Sequence, residues 1–238
     1  QAQYGRRLGT TAEYVALDSS RAAKLPDNIS FEIGACLGIP VMTAHRCVFA
    51  DGDVSGQKIL ITGGAGRVGY YAIQWAVSAG AFVVATASND IDRELCLELG
   101  ASAVVNHREA NWGEQVVAAT GGDKVDRVVD VEFGSSLPEV LKCIRAGGTI
   151  ATYSSTVVPQ PILPFKEMMF MDLTIRMVIV YAMPEKAKQA AIADIYSHLA
   201  SDQLQHRVAH VVPLDDLAHS HELIEDGGFG GCVVVSID

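Results

Sequence analysis

Three glycines spaced Gly63-x-x-Gly66-x-x-Gly69 follow the apolar run Lys58-Ile59-Leu60-Ile61-Thr62 and open a helical pattern over residues 67–79. Strand, glycine turn and helix start together are what a dinucleotide pyrophosphate requires. Without Cβ atoms the backbone can approach the phosphates, and the first amides of the helix point at their negative charge. A further glycine lets helix and strand pack closely. The spacing is not the commonest fingerprint, so the context carries the argument: a buried strand before, a helix after, and a second strand over residues 82–86. A turn that merely packs tightly is the bland alternative.

The second strand ends in Thr86-Ala87-Ser88-Asn89-Asp90. Sites for NAD place an acid at this tip to accept the ribose hydroxyls, whereas NADP needs neutral or basic groups there. Ser88 and Asn89 at the tip and Arg93 in the next helix favour NADPH, while Asp90 and Asp92 act against it. Arg93 also reads as an ordinary solvated helix charge paired with a neighbour, and both readings stay open.

Other chemistry is weakly signalled. Five cysteines, Cys36, Cys47, Cys96, Cys143 and Cys232, are scattered, odd in number and without a Cys-x-x-Cys pair. A disulfide framework or zinc ribbon is therefore not expected, and the thiols read as structural in a reducing, cytoplasmic setting. His206 and His210 would share a helical face, but residues 207–213 read as a strand, so solvated or capping histidines are expected. No Gly-x-Ser-x-Gly elbow is present, which argues against an α/β-hydrolase. No residue stands out as a general acid, so the catalytic residues are unknown.

The elements that must position the glycine turn alternate regularly. Strands are expected over residues 58–62, 82–86, 103–105, 126–131, 149–153 and 173–180. Helices are expected over 42–50, 67–79, 91–99, 112–120 and 136–144. Short apolar strands separated by helices mean crossover units on a parallel sheet buried on both faces, an α/β doubly wound fold. A strand over 11–17 and a helix over 30–37 precede this run. Helices over 185–200 and 215–225 and strands over 207–213 and 232–237 follow it, and this tail reads as returning to the module of the first thirty-odd residues. The formal charge of −10 disfavours nucleic acid and anionic lipid as partners. Residues 1–9 hold no apolar leader-like run, and the longest apolar stretch, near 174–183, is interrupted by Arg176.

With Lys24-Leu25-Pro26, Gly38-Ile39-Pro40-Val41-Met42-Thr43-Ala44 and Val105-Asn106-His107-Arg108-Glu109, these motifs resemble the zinc-free, zeta-crystallin-like quinone oxidoreductase branch of the medium-chain dehydrogenase/reductase superfamily. The resemblance runs from Gly9 to Ile237. It implies a Rossmann cofactor domain over residues 38–183, with remnants of a GroES-like catalytic domain at both ends, 1–37 and 184–238, whose N-terminal part is missing. It further implies that Thr43 and Tyr181 lie at the nicotinamide end. Gly63, Gly66, Arg67, Val68 and Gly69 fall on the pyrophosphate, Ser88 and Arg93 near the 2′-phosphate, His107 by the adenosine, and Val131 and Ser154 along the cofactor groove. Zinc enzymes of the superfamily place a cysteine ligand where Ile39 stands here, so no metal is expected. Relatives commonly carry Lys at the position of Asp92, Lys or Arg at that of Cys232, and Gly at that of Arg67.

The activity implied is hydride transfer from NADPH to a quinone or α,β-unsaturated carbonyl, in a homodimer joined along the strand near residues 176–183. Reduction of an enoyl thioester or other double bond is one alternative. A nucleotide-binding module without turnover is another, and an RNA-binding role is disfavoured by the charge.

Overall fold

The computed structural model describes residues 9–237; the expectation of no leader-like run at residues 1–9 therefore lies almost wholly outside the described residues. The chain divides into two compact units, Gln1–Met42 with Val180–Asp238, and Thr43–Ile179.

The second unit holds six parallel strands: β1 (Lys58–Ile61), β2 (Phe82–Ala87), β3 (Ala103–Asn106), β4 (Val125–Asp130), β5 (Ile144–Thr152) and β6 (Thr174–Met177). Their spatial order is β3-β2-β1-β4-β5-β6, the doubly wound order whose direction reverses between β1 and β4. Both faces of the central strands are enclosed: Ile59, Leu60, Ile61, Val83, Val84, Val128, Val129 and Ile150 are fully buried. This is why these strands read as unbroken β-branched runs rather than as alternating ones. The crossovers are α3 (Arg67–Ser78), α4 (Asp90–Glu98), α5 (Trp112–Ala119), α6 (Phe133–Cys143) and α7 (Phe165–Phe170). They follow α1 (Phe31–Cys36) and α2 (Ile39–Phe49), and the unit boundary falls within α2.

Helix α6 starts a turn earlier than its expected residue 136. Phe133 and Ser136 are both buried in that first turn, and Pro138 sits inside the helix, where it removes one i→i−4 hydrogen bond. Strand β5 is longer than expected because Ile144 pairs with Val125 before a bulge, and regular pairing resumes at Thr149 opposite Arg127. Helix α7 was not anticipated.

The first unit contains a parallel pair, β7 (Val208–Pro213) and β8 (Cys232–Ser236), linked by α9 (Leu217–Asp226), together with α1 and α8 (Glu185–Ala200). Helices α1 and α9 both pack on this pair.

Two expectations are corrected. Residues 11–17 run as bends and irregular chain and enter neither sheet; β-propensity alone does not make a strand, which exists only where a neighbour supplies a ladder. The strand expected over 173–180 stops at Met177, and Val180 lies in a single 3-10 turn, Val180–Ala182. Its partner β5 ends at Thr152, whose carbonyl accepts the last cross-strand bond from Val178 N–H at 2.7 Å. Among the described residues no helix is long and apolar enough to cross a membrane.

Candidate cofactor site

In a parallel sheet all strands end at one edge, and five of the candidate positions follow five successive strand ends. Gly63 comes just after β1, Ser88 after β2, His107 after β3, Val131 after β4 and Ser154 after β5. The sequence of apolar runs thus determines which polar residues share this edge.

The glycine turn is closely packed. Gly63 has φ +61°, a left-handed conformation that L-residues with a side chain adopt at a cost. Its N–H donates to Thr86 Oγ1 at 2.9 Å, and Gly64 N–H to Thr86 O at 2.9 Å, so the tip of β2 holds the turn. Gly66 N–H donates to Gly63 O at 2.9 Å. A Cβ on Gly69 would lie 2.2 Å from Gly63 O, and one on Gly64 would press on Cys96, Ala85 and Ile73. Gly66 occupies the N-cap of α3 and provides no side-chain cap. A glycine at this position places no Cβ between the first turn of α3 and an approaching anion, as a phosphate cradle requires.

Beneath the turn lies a buried polar cluster that periodicity did not indicate. Asp130, the last residue of β4, is fully enclosed. Its Oδ1 accepts from Thr62 Oγ1 at 2.8 Å and from Ser136 Oγ at 2.9 Å. Thr62 Oγ1 in turn accepts from Val131 N–H at 2.9 Å. The cluster ties the turn after β1 to the turn after β4, the two sides of the point where strand order reverses. Val131 Cγ1 sits 3.0 Å from where a Gly63 Cβ would stand, so Val131 packs directly on the glycine turn. Burial pushes the Asp130 carboxyl up, against the hydrogen bonds from Thr62 and Ser136 that lower it.

A second clamp shapes the far side. The Glu132 carboxylate accepts from the N–H groups of Thr156 and Val157 at 2.8 and 2.9 Å. Ser155 Oγ accepts from Gly134 N–H at 2.9 Å. Ser154 O accepts from Phe133 N–H at 3.0 Å, and its hydroxyl is 3.1 Å from that of Thr156. The segment after β5 is thus fixed against the start of α6.

At the β2–β3 end, Asn89 caps α4: its Oδ1 accepts from Asp92 N–H at 2.9 Å, and its Nδ2 donates to Asp92 Oδ2 at 2.8 Å. Arg93 pairs with Glu94 at 2.6 Å and is exposed. Ser88 is half-buried and His107 exposed. Asn89, Arg93, Asn106 and Glu109 line a hollow of about 230 Å³. Asp92 is therefore engaged in capping, and Arg93 has a competing partner in Glu94.

The remaining candidates lie on other elements. Thr43 is buried within α2, while Tyr181 belongs to the other unit, in the turn Val180–Ala182. His210 lies in β7 with its ring edge-on to Phe229 at 4.9 Å, so His206 and His210 do not share a helical face. Among the described residues no three His, Cys, Asp or Glu side chains are grouped as a metal ion requires.

The chain is 27% identical to quinone oxidoreductase of Homo sapiens over 222 residues, which cover 92% of this chain and 66% of that protein. It is 33% identical to that of Mus musculus over 150 residues, 62% of this chain and 45% of that protein. A crystal structure of an NAD-dependent alcohol dehydrogenase superposes with a TM-score of 0.88 at 31% identity, covering 100% of this chain and 68% of the other. The Escherichia coli quinone oxidoreductase complexed with NADPH superposes at 0.81 with 25% identity over 92% of this chain and 69% of that one. The chain thus spans about two thirds of the length of such relatives. The model of the zinc-binding dehydrogenase family matches residues 68–196, from the start of α3 into α8, more than half of the chain, and the chain belongs to that family.

Proposed function

We propose that this chain binds NADPH across the C-terminal edge of its six-stranded sheet and serves an oxidoreductase that reduces a quinone or an α,β-unsaturated carbonyl without zinc. One observation carries the reading: a glycine turn with no room for a Cβ at Gly69, placed beside the reversal of strand order. The absence of side-chain bulk and of a side-chain cap fits a pyrophosphate at Gly63, Gly66, Arg67, Val68 and Gly69. The quinone oxidoreductase relatives and the NADPH complex among the similar structures support the cofactor and the acceptor class.

When bound, the cofactor supplies the hydride, and the protein binds, orients and shields it. Val131 and Ser154, fixed by the Thr62 and Glu132 clamps, would line the path of the cofactor away from the pyrophosphate. Ser88 and Arg93 would receive the 2′-phosphate, and His107 would lie by the adenosine. Thr43 and Tyr181 are assigned to the nicotinamide end by resemblance alone. Ile39, an aliphatic residue where a cysteine would be needed, supports zinc independence. Cofactor binding without turnover is the second reading.

Titration of the purified chain with NADPH and NADH, followed by nicotinamide fluorescence, tests the proposal. Saturable binding tighter for NADPH is expected, and Arg93→Ala is expected to weaken NADPH by about five- to tenfold while leaving NADH unchanged. That change corresponds to roughly 1–1.4 kcal/mol for an exposed charge-assisted contact. An equal loss for both cofactors would remove Arg93 from the phosphate site, and no binding of either would remove the proposal. Binding without oxidation by any quinone or enone would favour the second reading.

Self-association is proposed along β6. It is one of the two edge strands of the sheet, with Met177 73% and Phe170, seven residues earlier, 74% exposed. An open, apolar edge is a template for a second copy. Light scattering should find a dimer that Met177→Lys converts to monomer; a wild-type monomer would refute it.

A further inference from the structure

All five cysteines are free thiols, but two from opposite ends of the chain meet. Cys36 is the last residue of α1, is fully enclosed, and its thiol donates to Glu32 O at 3.3 Å. Helix α1 packs on the parallel pair β7–β8. Cys232 opens β8 beside Val208, and its N–H donates to Arg207 O at 2.9 Å. Across that packing the thiols of Cys36 and Cys232 come close enough to interact, so closing to the roughly 2.05 Å of a disulfide is a local movement of α1 against β8. Both residues belong to the same compact unit.

We propose that Cys36 and Cys232 form a peroxide-oxidisable dithiol that closes to a disulfide fastening α1 to β8. The two partners differ in access, and this sets their roles. Cys232 is partly exposed at the end of the glycine-rich segment 227–231, whereas Cys36 is enclosed. Cys36 is also held as the neutral thiol, first by its hydrogen bond with Cys232 and then by burial. A peroxide therefore meets Cys232 first. Its sulfur takes one oxygen from hydrogen peroxide, giving a sulfenic acid and one water. The Cys36 sulfur then attacks the sulfenyl sulfur, the S–O bond breaks, and the thiol proton leaves with the hydroxyl as a second water. Two thiols are oxidised, one peroxide is reduced, and a dithiol reductant reverses the change. The other cysteines are poor competitors: burial pushes Cys47 and Cys143 up to about 12, and Cys96 is fully enclosed.

The test is non-reducing peptide mapping of the purified chain after stoichiometric hydrogen peroxide, with thiols counted in denaturant. Free thiols should fall from five to three, a peptide linking Cys36 to Cys232 should appear, and dithiothreitol should restore the count. Cys36→Ser should trap the sulfenic acid on Cys232, detected as a dimedone adduct, while Cys143→Ser should still form the linked peptide. Absence of that peptide in the wild-type chain, or loss of Cys47, Cys96 and Cys143 at the same rate as Cys232, would overturn the proposal.

Discussion

Replacing Gly69 by alanine is expected to abolish measurable NADPH binding at concentrations that saturate the wild-type chain, a loss of at least about a hundredfold, or roughly 2.7 kcal/mol. The added Cβ would sit 2.2 Å from Gly63 O, 2.9 Å from Gly64 Cα and 3.0 Å from Gly63 C. All three neighbours are backbone, so no rotamer change relieves the clash, and the turn itself must move. Movement of Gly63 opposes its bond to Thr86 Oγ1 and that of Gly66 to Gly63 O. The amides that would surround the phosphates are displaced with it. Overpacking of this kind also costs about 1–3 kcal/mol of stability, so thermal unfolding is measured beside the titration. Gly66→Ala is the graded comparison: its Cβ would meet Gly63 O at 3.1 Å, and it should keep more of both affinity and stability. A Gly69→Ala chain that binds NADPH and unfolds as the wild type does would show that the turn has room the geometry denies.

The parts of this site that the sequence makes legible are local. Ile59-Leu60-Ile61 running into Gly63 and Gly66 puts the buried strand, the turn and the helix start within a dozen residues, and the alternation of apolar runs with helices that follows indicates the parallel sheet, though not its strand order. What supports the turn is not local. Thr62 meets Asp130 across 68 positions and Glu132 reaches Thr156 across 24, and neither pair follows a helical or strand period. A trace of the first exists in hindsight, since Thr62 and Asp130 are polar residues closing two apolar strands that the topology makes neighbours. The thiol pair Cys36–Cys232 leaves no trace, because α1 and β8 lie at opposite ends of the chain. Residues 11–17 show the opposite failure: Tyr14, Val15 and Leu17 have strand-forming side chains, and local preference is overridden where no sheet takes them up. The capping of α4 by Asn89 was not read from the sequence, although Asn89 and Asp92 stand at the spacing of a cap pair, and it changes the meaning of Asp92, which is committed to the helix end.

The largest expected loss of stability is at Asp51, which is not among the residues proposed to bind cofactor. Arg127 on β4 is enclosed, its side chain only 5% exposed; Nη1 donates to Cys47 O and Nη2 to Asp51 Oδ2, each at 2.8 Å. Arg176 on β6 donates from Nε to both Asp51 oxygens at 3.0 Å. One carboxylate thus joins the end of α2 to two strands and neutralises a cation that the interior cannot solvate. Removing one partner of a buried pair costs about 3–5 kcal/mol, because the other charge is left behind. The Asp51 side chain is 22% exposed, which places Asp51→Ala at the lower end, about 3 kcal/mol, or a fall of roughly 6–12 °C in Tm for a chain of this size. Arg176→Met should cost less, about 1 kcal/mol, since that guanidinium faces solvent on one side. The hydrogen bonds from Arg176, and then those from Arg127, hold the Asp51 carboxyl at about 2, below its ordinary 3.8, against the desolvation that raises it. A carboxyl lowered in the folded state contributes stability that is fully present above the ordinary value and is lost as pH falls from 3.8 towards about 2. The stability difference between wild type and Asp51→Ala, measured by urea unfolding, should therefore be constant above about pH 5 and shrink as the pH falls through that window. A difference that stays the same down to pH 2 would mean that Asp51 acts through packing, and that Arg127 does not depend on its charge.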